Sequence, residues 1–334
     1  MHITCFDTDA HEREYLTTHL SSQGTLVCSS YSVSLDEVKK YPETTHLVVF
    51  IYSQVTAEIL DELPHLQAIF TMSTGFDHID IEACKERGIT VHNVPTYGNV
   101  TVAEHTFALI LSLSRNIYDS IKRTEGLNFN PEGLRGFDLA GKTLGIIGMG
   151  RIGSYVASIA QGFSLNVIAY DPYPRQELEE QFGFQYTDFR TVLQSSDIIT
   201  LHTAYRPETH HLINMDNISL MKPQSYLINT ARGGLIETSA LLYALQEGIL
   251  AGVGLDVLEE ECGIREEREL LKNESHPNCN LTTVLQGHML IKDPRVIVTP
   301  HNAFNSHESI ERILSTTAET IIAHSKGDMQ NQVG

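Results

Sequence analysis

The sequence predicts an α/β protein built from two doubly wound parallel-sheet domains. Three observations carry that prediction. Short β-branched runs alternate with polar, helix-like segments along most of the chain. An apolar segment over 101–118 interrupts the alternation once, after which it resumes. A glycine fingerprint, Gly148-Met149-Gly150-Arg151-Ile152-Gly153, follows the first strand of the second series. Strands that alternate with helices imply a parallel sheet covered on both faces. At 334 residues the chain is long for one core and comfortable for two domains.

In the first series, 2–7, 25–30, 46–51, 66–71 and 90–94 read as strands, with helix candidates at 12–20, 34–39 and 81–87. In the segment 101–118, Phe107, Ala108, Leu109, Ile110, Leu111 and Leu113 crowd every side of a helix. Such a helix is expected to be buried all round, wedged between domains or lying in a subunit interface. The second series has strands at 143–147, 166–170, 198–202, 225–229, 251–256 and 296–299, six in all, the pattern of a dinucleotide-binding sheet. A last helix near 306–324 is too short to be a domain and is expected to return to the first one. The expected organisation is therefore a discontinuous domain of residues 1–99 and 303–334, interrupted by a second domain of residues 100–302. The charge run 259–270 reads as a solvated loop or helix face.

Composition narrows the class. Hydrophobic residues make up 41% and charged residues 19%, as in a soluble globular protein. No apolar run reaches the ~20 residues that span a bilayer, and no signal peptide is expected. The net charge of −19 argues against nucleic acid and requires any anion site to be locally basic. The five cysteines are odd in number and lack metal-ligand spacing, so free thiols in a cytoplasmic protein are expected, with no metal site. His210-His211 reads as a pair of loop residues.

A lone Gly-x-Gly-x-x-Gly is a weak signal, but here a strand runs into it and an amphipathic helix leaves it. Gly148 allows the tight turn, Gly150 the approach of a pyrophosphate, and Gly153 close packing of helix on strand. The helix N-terminus offers N–H groups to phosphates, and Arg151 adds charge. The next strand ends at Asp171, about 20 residues on, where a carboxylate suits the ribose hydroxyls and repels a 2′-phosphate. NAD is expected over NADP, with Arg175 close enough to soften the preference.

Behind the fingerprint stand Arg232 in Asn-Thr-Ala-Arg-Gly-Gly, Glu261 five residues after Asp256, and His301 in Val-Thr-Pro-His-Asn-Ala-Phe. Hydride transfer to a 2-keto acid builds negative charge on the carbonyl oxygen. Histidine suits the proton donor there, and a neighbouring carboxylate stabilises the imidazolium. The planar fork of arginine suits a substrate carboxylate. Each residue alone reads as an ordinary surface or loop position; together, in this order, they read as a catalytic set.

With these residues in view, the chain resembles the D-isomer-specific 2-hydroxyacid dehydrogenases over essentially its whole length, most of all the D-lactate dehydrogenase branch. The stretches 73–80, 100–106, 145–153, 219–222, 228–233 and 299–304 carry the likeness. The resemblance implies a Rossmann domain inserted in a flavodoxin-like substrate domain, and an Arg232–Glu261–His301 set. It implies substrate contacts from Ser73, Thr74, Gly75, Tyr97 and Phe304. It also implies NAD contacts at Arg151, Ile152, Asp171, Thr203, Ala204, Thr209, Thr230, Ala231 and Asp256, the last holding the nicotinamide carboxamide. A homodimer acting on a small 2-keto or 2-hydroxy acid is expected. Phe304 favours lactate, whereas Asn305 stands where that branch often has a second aromatic. The alternatives are a glyoxylate, hydroxypyruvate or 2-ketoisocaproate type of substrate, or an NAD-sensing corepressor-like protein without turnover.

Overall fold

The computed structural model describes residues 1–260 and 280–333, which form two compact units: Met1–Tyr97 with Asn305–Gly334, and Gly98–Phe304. Among the described residues no helix is long and apolar enough to cross a membrane.

The first unit holds strands β1 (His2–Cys5), β2 (Thr25–Cys28), β3 (His46–Val49), β4 (Ala68–Thr71) and β5 (Thr90–His92). All pair in parallel, in the order β5-β4-β3-β1-β2. Counted from β2 this is 2-1-3-4-5, the flavodoxin-like winding. Every residue of β3 and β4 is buried, as expected for central strands covered on both faces. The final helix, His307–Ser325, packs on this unit, and a two-residue strand at Gln332–Val333 (β13 in chain order) pairs antiparallel with β5. Short elements without an apolar period, such as the helix Ala57–Asp61 and β13, left no trace in the sequence pattern.

The second unit holds β6 (Thr143–Ile147), β7 (Asn166–Tyr170), β8 (Gln185–Tyr186), β9 (Ile198–Leu201), β10 (Ser225–Asn229), β11 (Leu250–Leu255) and β12 (Val296–Val298). The order is β8-β7-β6-β9-β10-β11-β12, all parallel. Relative to β6 this is the Rossmann order 3-2-1-4-5-6 with one strand added. The six expected strands are present, and the two-residue β8 is the seventh. The order reverses between β6 and β9, so the glycine fingerprint that follows β6 stands at the switch point, where ligands bind such sheets.

The apolar helix is shorter than its sequence suggested. It runs Asn99–Ser114 and stops at Arg115-Asn116, where Asn116 is left-handed (φ 49°), and a second helix, Ile117–Glu125, starts. It is also not buried all round: Val102, Ala103, Thr106, Phe107, Leu109 and Ile110 are buried, whereas Glu104 and Ala108 are exposed in the single chain. The charge run departs from its expected solvation at its first residue, since Glu259 is half-buried; residues 261–270 lie outside the described residues.

Candidate active site

The fingerprint loop is built by three glycines with different surroundings. Gly148 has φ +97°, and a Cβ there would lie 2.7 Å from the His202 carbonyl carbon, so only glycine turns the chain this closely over β9. At Gly153 a Cβ would lie 2.2 Å from the Gly148 oxygen, which shows how tightly the helix Arg151–Gly162 lies on the loop. At Gly150 a Cβ would meet nothing within 4 Å. Space over Gly150, together with a helix N-terminus that no side chain caps, fits a pyrophosphate held by backbone N–H groups. Arg151 and Ile152 open that helix.

Asp171 follows β7 and is already oriented: its carboxylate accepts from the Met149 amide at 2.8 Å and the Tyr173 amide at 2.9 Å. Arg175 donates to the Met149 oxygen at 2.7 Å, so its charge sits beside this loop. After β9, Thr203 donates to the Ile147 oxygen at 3.2 Å. Thr209 uses its hydroxyl on its own loop, donating to the Ala204 oxygen and accepting from the Arg206 amide, both at 2.8 Å. The Thr230 hydroxyl turns inward to Thr106 (3.0 Å), and the Ala231 amide donates to Asn229 Oδ1 at 3.0 Å. Burial holds the His202 imidazole down at about 3, so it is neutral at physiological pH.

Three of the candidate site residues follow neighbouring strands. Arg232 follows β10, Asp256 follows β11 and His301 follows β12, all at C-terminal ends. The Arg232 turn is fixed from behind: Asn229 Nδ2 donates to the Arg232 oxygen at 2.8 Å, and Arg232 Nη1 donates to the Ala231 oxygen at 2.9 Å.

Asp256 is almost fully buried (1% exposed). Its Oδ1 accepts from the Thr299 hydroxyl and, at 2.8 Å, from the Asn302 amide; its Oδ2 accepts from the Ala303 amide at 2.8 Å. The turn 299–303 is thus wrapped around one carboxylate, with the His301 amide donating to the Asp256 backbone oxygen at 2.8 Å. That wrapping holds His301 in the left-handed region (φ 51°), a conformation disfavoured for a residue with a side chain. With its side chain closed off from solvent, the Asp256 carboxylate is spent on the turn it holds. The Phe304 ring stands edge-on to the His301 ring, centroids 6.5 Å apart.

His105 is a contributor that sequence reasoning passed over. Its Nε2 lies 3.0 Å from Thr299 Oγ1 and 3.5 Å from Asp256 Oδ1, bracing the same turn from the helix Asn99–Ser114. The stretch 100–106 was conspicuous in the sequence, but nothing in it says which residue the helix directs at β12. Glu261 lies outside the described residues.

In the first unit, the turn after β4 is locked from inside. The buried Ser73 hydroxyl donates to the Gly75 oxygen at 2.6 Å, Thr74 donates to the Val94 oxygen at 2.8 Å, and Asn93 donates to the Thr74 oxygen at 2.8 Å. Tyr97 is half-buried, and its carbonyl accepts from Arg312 Nε at 2.8 Å.

Residues 107–303 match the family model described as the D-isomer specific 2-hydroxyacid dehydrogenase NAD binding domain. The chain belongs to the D-isomer-specific 2-hydroxyacid dehydrogenase family. It is therefore an NAD-dependent oxidoreductase, and NAD is its cofactor. A glyoxylate reductase of Thermococcus litoralis is 37% identical over 300 residues, 87% of this chain and 84% of that protein. The D-lactate dehydrogenase of Aquifex aeolicus, crystallised with NAD and lactic acid, superposes with a TM-score of 0.87 at 37% identity, covering 99% of this chain and 98% of that one. The pyruvate reductase of Chlamydomonas reinhardtii superposes with a TM-score of 0.85 at 32% identity, over 98% and 97% of the two chains.

Proposed function

We propose that this dehydrogenase reduces pyruvate to D-lactate with NADH, reversibly. The observation that carries the reading is the row of Arg232, Asp256 and His301 on three adjacent strand ends of the sheet whose switch point holds the glycine fingerprint. When bound, NADH supplies the hydride that goes to the carbonyl carbon. Arg232 holds the substrate carboxylate through its fork. His301 gives its proton to the carbonyl oxygen, and Glu261 stabilises the imidazolium. Asp256 fixes the turn that carries His301, and in this reading the same strand end serves the nicotinamide carboxamide. Asp171 takes the ribose hydroxyls; Thr203, Ala204, Thr209, Thr230 and Ala231 line the cofactor's path mainly through their loops. Ser73, Thr74, Gly75 and Tyr97 of the first unit serve as substrate contacts in this reading, which assigns that unit to the substrate.

Pyruvate is favoured over smaller acids by the Phe304 ring beside His301, which leaves an apolar wall for a methyl group. The likeness to a glyoxylate reductase supports a second reading, in which glyoxylate is preferred. A panel of 2-keto acids (glyoxylate, pyruvate, hydroxypyruvate, 2-ketobutyrate, 2-ketoisocaproate) followed by NADH absorbance separates them. The highest kcat/KM with pyruvate and a D product support lactate; a peak at glyoxylate replaces it.

The reading includes a cytoplasmic homodimer. Support for self-association comes from Leu127 and Phe129, 85% and 80% exposed in the single chain, next to the half-apolar helix Ile117–Glu125.

A further inference from the structure

We propose that His211 and Glu259 form a positioning pair that sets the Arg232 turn, and through it the grip on the substrate carboxylate. This rests on the reading of Arg232 as the carboxylate anchor. His211 Nε2 lies 2.6 Å from Glu259 Oε1, across 48 residues of chain. With a carboxylate at Nε2, that nitrogen carries the proton and donates. The other carboxylate oxygen, Oε2, accepts from the Thr238 hydroxyl at 2.7 Å and the Thr238 amide at 3.1 Å. Thr238 is the first residue of the helix Thr238–Gln246, so Glu259 also serves as an anionic cap on that helix.

These bonds encircle the glycines that follow Arg232. The His211 amide donates to the Gly234 oxygen at 2.9 Å. A Cβ on Gly233 would lie 2.1 Å from the Leu258 carbonyl and 2.3 Å from the Glu259 nitrogen, so the Arg232 turn rests backbone to backbone on the strand exit that Glu259 occupies. A Cβ on Gly234 would lie 2.7 Å from the Tyr205 ring. Tyr205 bonds His210 Nδ1 at 3.1 Å, and the His210 ring stacks on His211 with centroids 3.8 Å apart. The Arg232 turn therefore has no independent freedom: one side is the 258–259 backbone, the other the 205–211 loop, and the His211–Glu259 bond ties the two sides together. A bidentate grip needs the guanidinium plane placed to a few tenths of an ångström, and a shift of about 1 Å is enough to cost it on the order of 100-fold.

The test compares His211→Ala, His211→Gln, Glu259→Gln, the double variant His211→Ala/Glu259→Gln, and Arg232→Lys in the full-length enzyme. Steady-state kinetics with pyruvate are read alongside NADH affinity by fluorescence and thermal melting. We expect the KM for pyruvate to rise about fivefold or more in His211→Ala and Glu259→Gln, with NADH affinity within about twofold. The double variant should lose less than the sum of the two single losses, because both changes break the same His211–Glu259 bond. Glutamine at 211 should recover most of the loss, since its amide nitrogen reaches the place of Nε2. An unchanged KM in His211→Ala and Glu259→Gln, with KM raised by Arg232→Lys, overturns the pair and leaves the anchor standing. An unchanged KM in Arg232→Lys overturns the anchor itself. Equal losses of NADH affinity, melting temperature and pyruvate KM in His211→Ala reduce the pair to a fold contact and also overturn the proposal.

Discussion

Replacing Gly150 with alanine should remove cofactor binding without weakening the fold. Three glycines of one loop and helix differ in what a methyl group would meet, so they separate these two effects. At Gly150 nothing lies within 4 Å, and its φ of −70° suits any residue. A methyl group there meets only the space the pyrophosphate needs. We expect NADH affinity to fall at least tenfold, about 1.4 kcal/mol, with a stability change within about 0.5 kcal/mol. At Gly153 the methyl carbon would sit 2.2 Å from the Gly148 oxygen, about 1 Å inside ordinary contact, so the helix must lift off the loop. Overpacking of this kind costs about 1–3 kcal/mol, or roughly 2–12 °C in a unit of this size, and NADH affinity falls as well. At Gly162, in the last turn of the same helix, nothing lies within 4 Å, and alanine should stabilise by up to about 1 kcal/mol. Thermal melts and NADH fluorescence titrations of the three variants complete the comparison. Wild-type NADH affinity in Gly150→Ala would refute the close approach of phosphate to this loop. A Gly153→Ala protein that melts like Gly162→Ala would refute the packing argument.

Other perturbations bear on separate parts of the molecule. Burial, then the neighbouring His324, the N-terminal amine and His92, push the His46 imidazole down to about 4, whereas in the unfolded chain it titrates near 6.5. Between those values the unfolded state binds the extra proton, so stability is full above about pH 6.5 and falls as pH drops toward 4, by at most roughly 3 kcal/mol. Urea melts across that window should show the slope, and His46→Gln should lessen it, His202 keeping its own share; an equal slope in both would contradict the assignment. In Asp256→Asn the amide must turn an NH2 group toward a backbone N–H of the 299–303 turn. We expect a loss of about 1–3 kcal/mol and a lower kcat, and an unchanged kcat would remove Asp256 from the support of His301. Serines at Leu127 and Phe129 should shift a dimer toward monomer in sedimentation, and a monomeric wild type would contradict the dimer.

Much of the second unit was legible because its signals are local. Strands β6, β7 and β10 begin and end where their β-branched runs do, and the fingerprint names its own structural context. The helix after Gly98 ends four residues before the apolar segment does, because the break depends on one left-handed residue, Asn116, inside a sequence with no proline or glycine. Glu259 was read as one charge among many. Its partner lies 48 residues away, and no periodicity marks a bond between a loop histidine and a strand-end glutamate. Asp256 shows the same limit from the other side. Its position after a strand was visible, but not that three donors of the 299–303 turn close on its carboxylate.

His301→Gln tests the central claim most directly. Single-turnover reduction of pyruvate by enzyme-bound NADH should slow at least about 100-fold, the scale of a lost general acid, while NADH affinity stays within about twofold of wild type. A variant that turns over at the wild-type rate with NADH bound would show that the proton comes from elsewhere and that the row of strand-end residues is not the reactive site.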